Sequence, residues 1–301
     1  MARKSPPTER VVRVLNIVAD TPRHAFTLSE LARHSGITKA TCLGIVGSLT
    51  DAGYLVREPG KTYRIGPALL TLGQAAQDGV AALELARPHL RRLTEDLGLS
   101  CTASVVLGDE IVVLERTGLP GTIDSAVKVG QRYPYAPPSG VVFAVWQPDQ
   151  VIEHWLRTHP PVPIDRQRLQ QLAQSCRRTG ILVEQLSEVS VASYTLLAGI
   201  SAASPPAMAQ ALQEIVAAFP YRYFVDDDLC GTDPLPVSLI CSPTYGAQGL
   251  PELLLAVLVL GPATPARVEE TGAVLRTAAA AVTEQIGGRD PWAAARTARR
   301  L

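Results

Sequence analysis

The sequence predicts an α+β protein: an N-terminal winged helix-turn-helix, a linker helix, and a larger domain with a mainly antiparallel sheet. Three observations carry this. Residues 27–66 place two short helical patterns around His34-Ser35-Gly36-Ile37 and follow them with a hairpin pattern. Beyond Gly98 the apolar period shifts from helical to strand-like. Strand, helix and strand patterns then succeed one another in blocks and close with a long helix, an order that suits α+β rather than a parallel sheet. The length of 301 residues suits two domains. The boundaries expected are 8–78 for the winged helix, 79–98 for the linker helix, 99–288 for the sheet domain and 289–301 for a C-terminal tail.

Met1 to Pro7 reads as an unstructured arm. Thr8 is placed to cap a helix running to about Ala19, with Val11, Val14, Leu15 and Val18 on one face, and Pro22 closes it. Thr27 and Glu30 have capping-box spacing for a helix over Leu28–Arg33. Gly36 supplies the turn. Thr38 caps a third helix to Asp51, stopped by Gly53, with Leu43, Val46 and Leu49 expected inside. Tyr54–Glu58 and Lys61–Ile65 alternate in polarity around Pro59-Gly60, the pattern of a wing. Pro67 opens another helix over Ala68–Gln77.

In the linker, Leu83, Ala86, Leu90, Leu93 and Leu97 fall at heptad spacing, with Pro88 expected to kink or split the helix. That spacing fits a dimer contact and packing on the next domain equally. Strands follow at Ser100–Leu107 and Glu110–Arg116, with a third at Thr122–Val129. Helical patterns cover Pro138–Val145, Pro148–Arg157 and Asp165–Arg178, then a strand starts at Ile181. Residues 187–230 are ambiguous apart from a helix at Pro206–Phe219. Val237–Cys241 and Leu253–Leu260 are nearly continuous apolar strands, and Pro265–Gln285 is the closing helix.

Net charge is zero, but residues 1–78 hold ten Lys/Arg against six Asp/Glu, so the basic excess sits with the helix-turn-helix. The five cysteines, Cys42, Cys101, Cys176, Cys230 and Cys241, are scattered and odd in number, which argues against a disulfide framework or a zinc site. The N-terminus lacks an apolar signal region, and Leu253–Leu260 is too short to span a bilayer, so a cytoplasmic protein is expected. The histidines show no ligand spacing, and no nucleophile-elbow, zincin or phosphate-loop motif is present. No metal, cofactor or catalytic set is expected. Asp226-Asp227-Asp228 reads as a solvated loop.

The run from Thr27 to Gly73 resembles the N-terminal domain of IclR-family bacterial regulators, and LELARPHLRRLTEDLG resembles their linker helix. VLGDEIVVLERTG, VGQRYPYAPPSGVVFAVW and LLAVLVLGP resemble their GAF-like effector-binding domain. The likeness spans about 8–186 and 237–288 and lies in order and spacing. It implies a dimer, or dimer of dimers, that binds double-stranded operator DNA and responds to a small molecule. Two departures matter. Gly44 stands where family recognition helices often carry arginine. Leu239, Leu258 and Leu260 stand, by ungapped matching, where members that hold small carboxylates place a cysteine and serines.

Candidate DNA-contacting residues are Thr38, Lys39, Ala40, Thr41 and Cys42 on the first turn of the third helix, and Arg57, Lys61 and Arg64 on the wing. Cys42 has a competing reading as a small packing residue. Candidate effector-binding residues are Tyr135, Ser139, Gly140, Trp146, Leu239, Cys241, Leu258 and Leu260, which suggest a largely apolar or aromatic effector. The functional expectation is a sequence-specific transcription regulator under effector control. The alternative is an enzyme whose α+β domain is catalytic, with the winged helix as a regulatory or interaction module.

Overall fold

The computed structural model describes residues 5–78, 80–118, 127–137, 139–158, 165–185 and 223–297. The helix expected at Pro206–Phe219 and most of the strand expected at Thr122–Val129 lie outside the described residues. The described chain divides into two compact units, the second beginning at Val80.

In the first unit, α1 (Pro6–Asp20) starts before the Thr8 cap that the sequence suggests. Pro6 and Pro7 occupy the first helical positions, where a missing N–H costs nothing because the helix has no partner for it there. A short strand β1 (Phe26–Thr27) precedes α2 (Leu28–Ser35). The expected capping box is formed: the Thr27 hydroxyl accepts from the Glu30 N–H at 3.3 Å, and the Glu30 carboxylate accepts from the Thr27 N–H at 2.7 Å. Gly36 ends the helix at φ +68°, the left-handed conformation that glycine adopts without penalty. Helix α3 (Lys39–Asp51) follows, then β2 (Leu55–Arg57), β3 (Thr62–Ile65) and α4 (Ala68–Asp78). The sheet order is β1-β3-β2, all antiparallel. Val14, Ile17, Leu31, Cys42, Val46, Leu49, Leu55 and Tyr63 fill the core between the three helices and the wing.

In the second unit, α5 (Ala81–Leu97) runs through Pro88 without being split. Its Ala82, Leu83, Ala86, Leu90 and Leu93 are buried in the unit's own core. The heptad residues therefore serve packing within this unit, and the helix is part of the domain rather than a free linker. An antiparallel sheet of seven strands carries the unit: β4 (Ser100–Leu107), β5 (Glu110–Thr117), β6 (Arg132–Pro134), β7 (Leu182–Gln185), β8 (Tyr223–Phe224), β9 (Leu235–Tyr245) and β10 (Pro251–Ala263), in the order β6-β5-β4-β10-β9-β7-β8.

One sheet face packs on α5 and α9 (Pro265–Gln285), through Cys101, Ala103, Leu253, Leu255 and Val257. The other packs on α6 (Val141–Ala144), α7 (Asp149–Thr158) and α8 (Arg166–Thr179), with Leu254, Ala256, Cys241 and Leu182 meeting Phe143, Trp146, Trp155 and Leu172. Both faces are buried, which is why β10 reads as an unbroken apolar run. Asp226–Leu229 is a single 3-10 turn in which Asp227 is exposed, as expected of a solvated loop, while the other two acids are held by partners. Asp226 accepts from Ser175 and Arg178, and Asp228 pairs with Arg168. The chain closes with α10 (Ala293–Thr297), tied back where Arg177 stacks over the Trp292 ring at 4.4 Å.

Candidate nucleic-acid interface and ligand-facing sheet

Thr38 caps α3: its hydroxyl accepts from the Thr41 N–H at 3.3 Å and lies 3.0 Å from the Thr41 hydroxyl. Lys39 and Ala40 stand exposed and Thr41 half-buried on the first turn. Cys42 corrects the expectation. It is buried in the core, where desolvation pushes its thiol up, so it packs and does not reach a base edge. Leu43, expected inside, is instead 54% exposed. One residue is 100° of helical turn, and Cys42 takes the inward position with Val46 and Leu49. The outward face of α3 is therefore Lys39, Ala40, Leu43, Gly44 and Ser48. A Cβ added at Gly44 would meet nothing within 4 Å, so nothing in the fold demands a glycine there.

The wing presents Arg57, Lys61 and Arg64, all exposed. They are not equivalent. Arg64 pairs with Glu58 at 3.0 Å, which neutralises part of its charge. Lys61 sits at φ +57°, a left-handed conformation that L side chains adopt at a cost. The flexible residue next to it, Gly60, is not used for that conformation. The Lys61 N–H closes the turn onto the Glu58 carbonyl at 3.0 Å, and this holds the ammonium at the tip.

The effector candidates divide. Tyr135, Trp146, Leu239 and Cys241 gather around one apolar cluster beneath the sheet. The Tyr135 ring lies 5.6 Å from Trp155, whose indole N–H donates to the Tyr135 carbonyl at 2.9 Å. Trp146 is fully packed and donates to the Val142 carbonyl, which makes it core rather than an open wall. Ser139 is half-buried. Gly140 has a steric reason: a Cβ there would come within 2.6 Å of Trp155. Cys241 is buried beside Leu182 and Ala256, and desolvation raises its thiol well above the ordinary value. Leu258 and Leu239 are directly paired across β10 and β9. Leu260 lies at φ +50° in the bulge between Leu258 and Gly261, half-buried and out of that row.

Sequence reading missed the polar groups flanking the leucine pair. Ser100 pairs with Leu258, and Glu184 with Leu239, so one row across the sheet reads Ser100, Leu258, Leu239, Glu184. Glu184 is 1% exposed. Thr102, one pair along from Ser100, lies opposite Arg116, whose guanidinium donates to the Ser100 hydroxyl at 3.3 Å. The face is apolar at its centre and polar at both ends, more mixed than the leucines alone suggest. The alternation of Ser100, Thr102 and Ser104 in β4 is the signal that marks it.

A model of the IclR helix-turn-helix domain matches residues 7–59. The chain is 29% identical over 183 residues to the HTH-type transcriptional regulator TtgV of Pseudomonas putida, an alignment covering 60% of this chain and 66% of that protein. It is 25% identical over 158 residues to KipR of Bacillus subtilis, covering 52% of this chain and 62% of the relative. The chain thus spans under two thirds of the length of these relatives. Among solved structures, an IclR transcriptional regulator from Alicyclobacillus acidocaldarius superposes with a TM-score of 0.67 at 19% identity, over 95% of this chain and all of that one. An IclR homologue from Microbacterium hydrocarbonoxydans, complexed with 4-hydroxybenzoate, gives 0.62 at 22% identity, over 93% of this chain and 98% of the other. At such identity the structures show a shared fold.

Proposed function

We propose that this chain, which belongs to the IclR family, is a sequence-specific DNA-binding transcription regulator whose second unit binds a small-molecule effector. The observation that carries the reading is the coincidence of two things: the family match over 7–59, and a capped α3 whose outward face is free of packing duties. In this reading Lys39, Thr41 and Leu43 meet base edges, with Leu43 suited to a thymine methyl. Thr38 and Ala40 border the groove, and Arg57, Lys61 and Arg64 meet phosphates.

The effector site we assign to Tyr135, Ser139, Leu239 and Leu258, with Gly140, Trp146 and Cys241 as its supporting layer; Leu260, in the bulge, stands outside that row. The 4-hydroxybenzoate bound by one structural neighbour supports an aromatic ligand that also carries a polar end. The row from Ser100 to Glu184, with apolar centre and polar ends, suits such a molecule. The regulator acts in the cytoplasm as a homodimer or dimer of dimers. Leu70, 76% exposed on α4, and the exposed Leu72 support self-association, and two-fold symmetry would give an operator with two half-sites. No described helix is long and apolar enough to cross a membrane.

The test is selection of a binding site from random duplex DNA with the full chain, followed by titration in the presence of a panel of hydroxylated and plain aromatic compounds. The expected result is one enriched, roughly palindromic site whose affinity shifts with at least one aromatic compound. No enrichment over random duplex would overturn the DNA reading. Enrichment with no response to any aromatic compound would overturn the effector assignment alone.

A further inference from the structure

A cavity of about 650 Å³ opens in the second unit between the end of β9, the C-terminus of α8 and α9, with residues around α10 as its remaining wall. That volume falls in the range of about 300–1,000 Å³ usual for small-molecule sites. None of the residues assigned above to DNA or effector lines it. It therefore goes beyond the function already proposed.

Arg178, Arg276 and Arg296 border the cavity against Glu269 and Asp290, which leaves one net positive charge on its wall. The guanidinium groups are not equally occupied. Arg178 donates to Asp226 at 2.9 Å. Arg296 is bound to Asp290 and donates to the Arg177 carbonyl at 3.0 Å. Arg276 donates at 2.6 Å to the Thr179 carbonyl and forms no ion pair with a described carboxylate. Burial pulls the Arg296 guanidinium below its ordinary value, and the neighbouring Arg276 charge pulls the same way. Asp290 already balances Arg296, so Arg276 is the cation on this wall whose charge a bound anion would balance.

Tyr245 supplies an independent observation. It is 2% exposed, lines the cavity, and its buried hydroxyl completes no hydrogen bond. Burial raises its ionisation well above the ordinary range, so it stays protonated and keeps a donor to offer. Arg296 acts on Tyr245 through its charge and through an approach in hydrogen-bond range, but the geometry at the hydroxyl falls short of a formed bond. A buried hydroxyl without a partner is rare, and one that lines a cavity has room for a water or a ligand to complete its bond. The rest of the wall includes Pro243, Ala279 and Ala280, which suit a carbon skeleton.

We propose that this cavity is a second ligand site, which takes a small organic monocarboxylate between Arg276 and Arg296 with the Tyr245 hydroxyl as a third donor. Planar guanidinium groups match a carboxylate in two-point contact, and the single net charge of the wall matches a monoanion. The volume is larger than inorganic phosphate needs.

The experiment is calorimetry on the full chain with hexanoate, benzoate and inorganic phosphate, each measured against sodium chloride at equal ionic strength. A monocarboxylate should bind saturably, and Arg276→Gln should weaken it about tenfold or more. Tyr245→Phe should weaken the same ligand about three- to tenfold and leave the unliganded melting temperature nearly unchanged, because the hydroxyl makes no well-formed bond to lose. That variant keeps the test decisive if Arg276→Gln fails to fold. The proposal is overturned if no carboxylate binds beyond the chloride control or if phosphate alone binds. It is equally overturned if binding ignores Tyr245→Phe and falls instead with Leu258→Ala, which would place the ligand on the sheet face.

Discussion

Helix α3 and strand β10 each carry residues proposed to meet a ligand, DNA on one and effector on the other, and they stand in opposite surroundings. On α3, Lys39, Ala40, Leu43 and Gly44 are exposed, and the core is held by their neighbours Cys42, Val46 and Leu49. Reaching them breaks no protein contact. On β10, Leu258 is buried and sits between Ser100 and Leu239 in a sheet covered on both faces. An effector there must share its binding residues with the core. Recognition and stability are separable on α3 and inseparable on β10, so substitutions should sort accordingly.

The strongest break of this contrast would come from Leu258→Ala. Truncating a buried leucine costs about 2–5 kcal/mol, so urea unfolding should show a loss of that size as well as a changed effector response. A stability loss below about 1 kcal/mol would mean that the site is open and β10 is not shared with the core. Next is Lys39→Ala, alone and with Leu43→Ala. A good base contact is worth roughly 1–3 kcal/mol, so discrimination between operator and random DNA should fall by that amount. Stability should stay within about 0.5 kcal/mol, as for exposed positions generally. A comparable loss of stability would show that α3 is not free for reading.

A third measurement concerns the helix that supports α3. The Glu30 carboxylate is held below its ordinary value, first by the hydrogen bond from the Thr27 backbone and then by the Thr27 hydroxyl. A depressed carboxylate contributes stability above its unfolded value and loses it as pH falls through the folded one. Thr27→Ala should cost about 1 kcal/mol near neutrality, and the gap to the parent should narrow once acid protonates Glu30. A gap unchanged down to strongly acidic pH would remove the capping box from the account. The smallest effect expected is from Lys61→Gly. It relieves a left-handed conformation costing roughly 1 kcal/mol and removes one phosphate contact, so the salt slope of DNA binding should shrink by about one unit. Arg64→Gln should change the slope less, because Glu58 already pairs with that side chain. Equal slopes for both variants would mean that the ion pair opens on DNA.

The first unit was the more legible in sequence because its signals are local. A capping box needs only Thr27 and Glu30, and the turn needs only Gly36. The miss there was the choice between Cys42 and Leu43. Hydrophobicity favoured leucine for the interior, but the helical phase set by Val46 and Leu49 decided for cysteine. In the second unit the long strands and the closing helix were legible, and the short strands β6 and β8 were not. Strands of three and two residues owe their existence to partners distant in sequence. The heptad of α5 left two readings open because helix packing and coiled-coil spacing coincide over two heptads, and the buried face of α5 meets the packing reading. The Glu184 row and the arginine-lined cavity were invisible, since both arise only when β9 is set against β7 and α9.

Those two short strands also bear on solubility. They form the two margins of the described seven-stranded sheet, and Pro134 at the end of β6 cannot donate to a further strand. Each margin thus offers little backbone for a stranger chain to extend, and the long apolar β9 and β10 are locked in the interior. A sheet rich enough in leucine and valine to nucleate amyloid is guarded in this way by its least regular pieces. Copies of this protein should accordingly meet through side chains and helices, with unfolding rather than native contact as the route to aggregation.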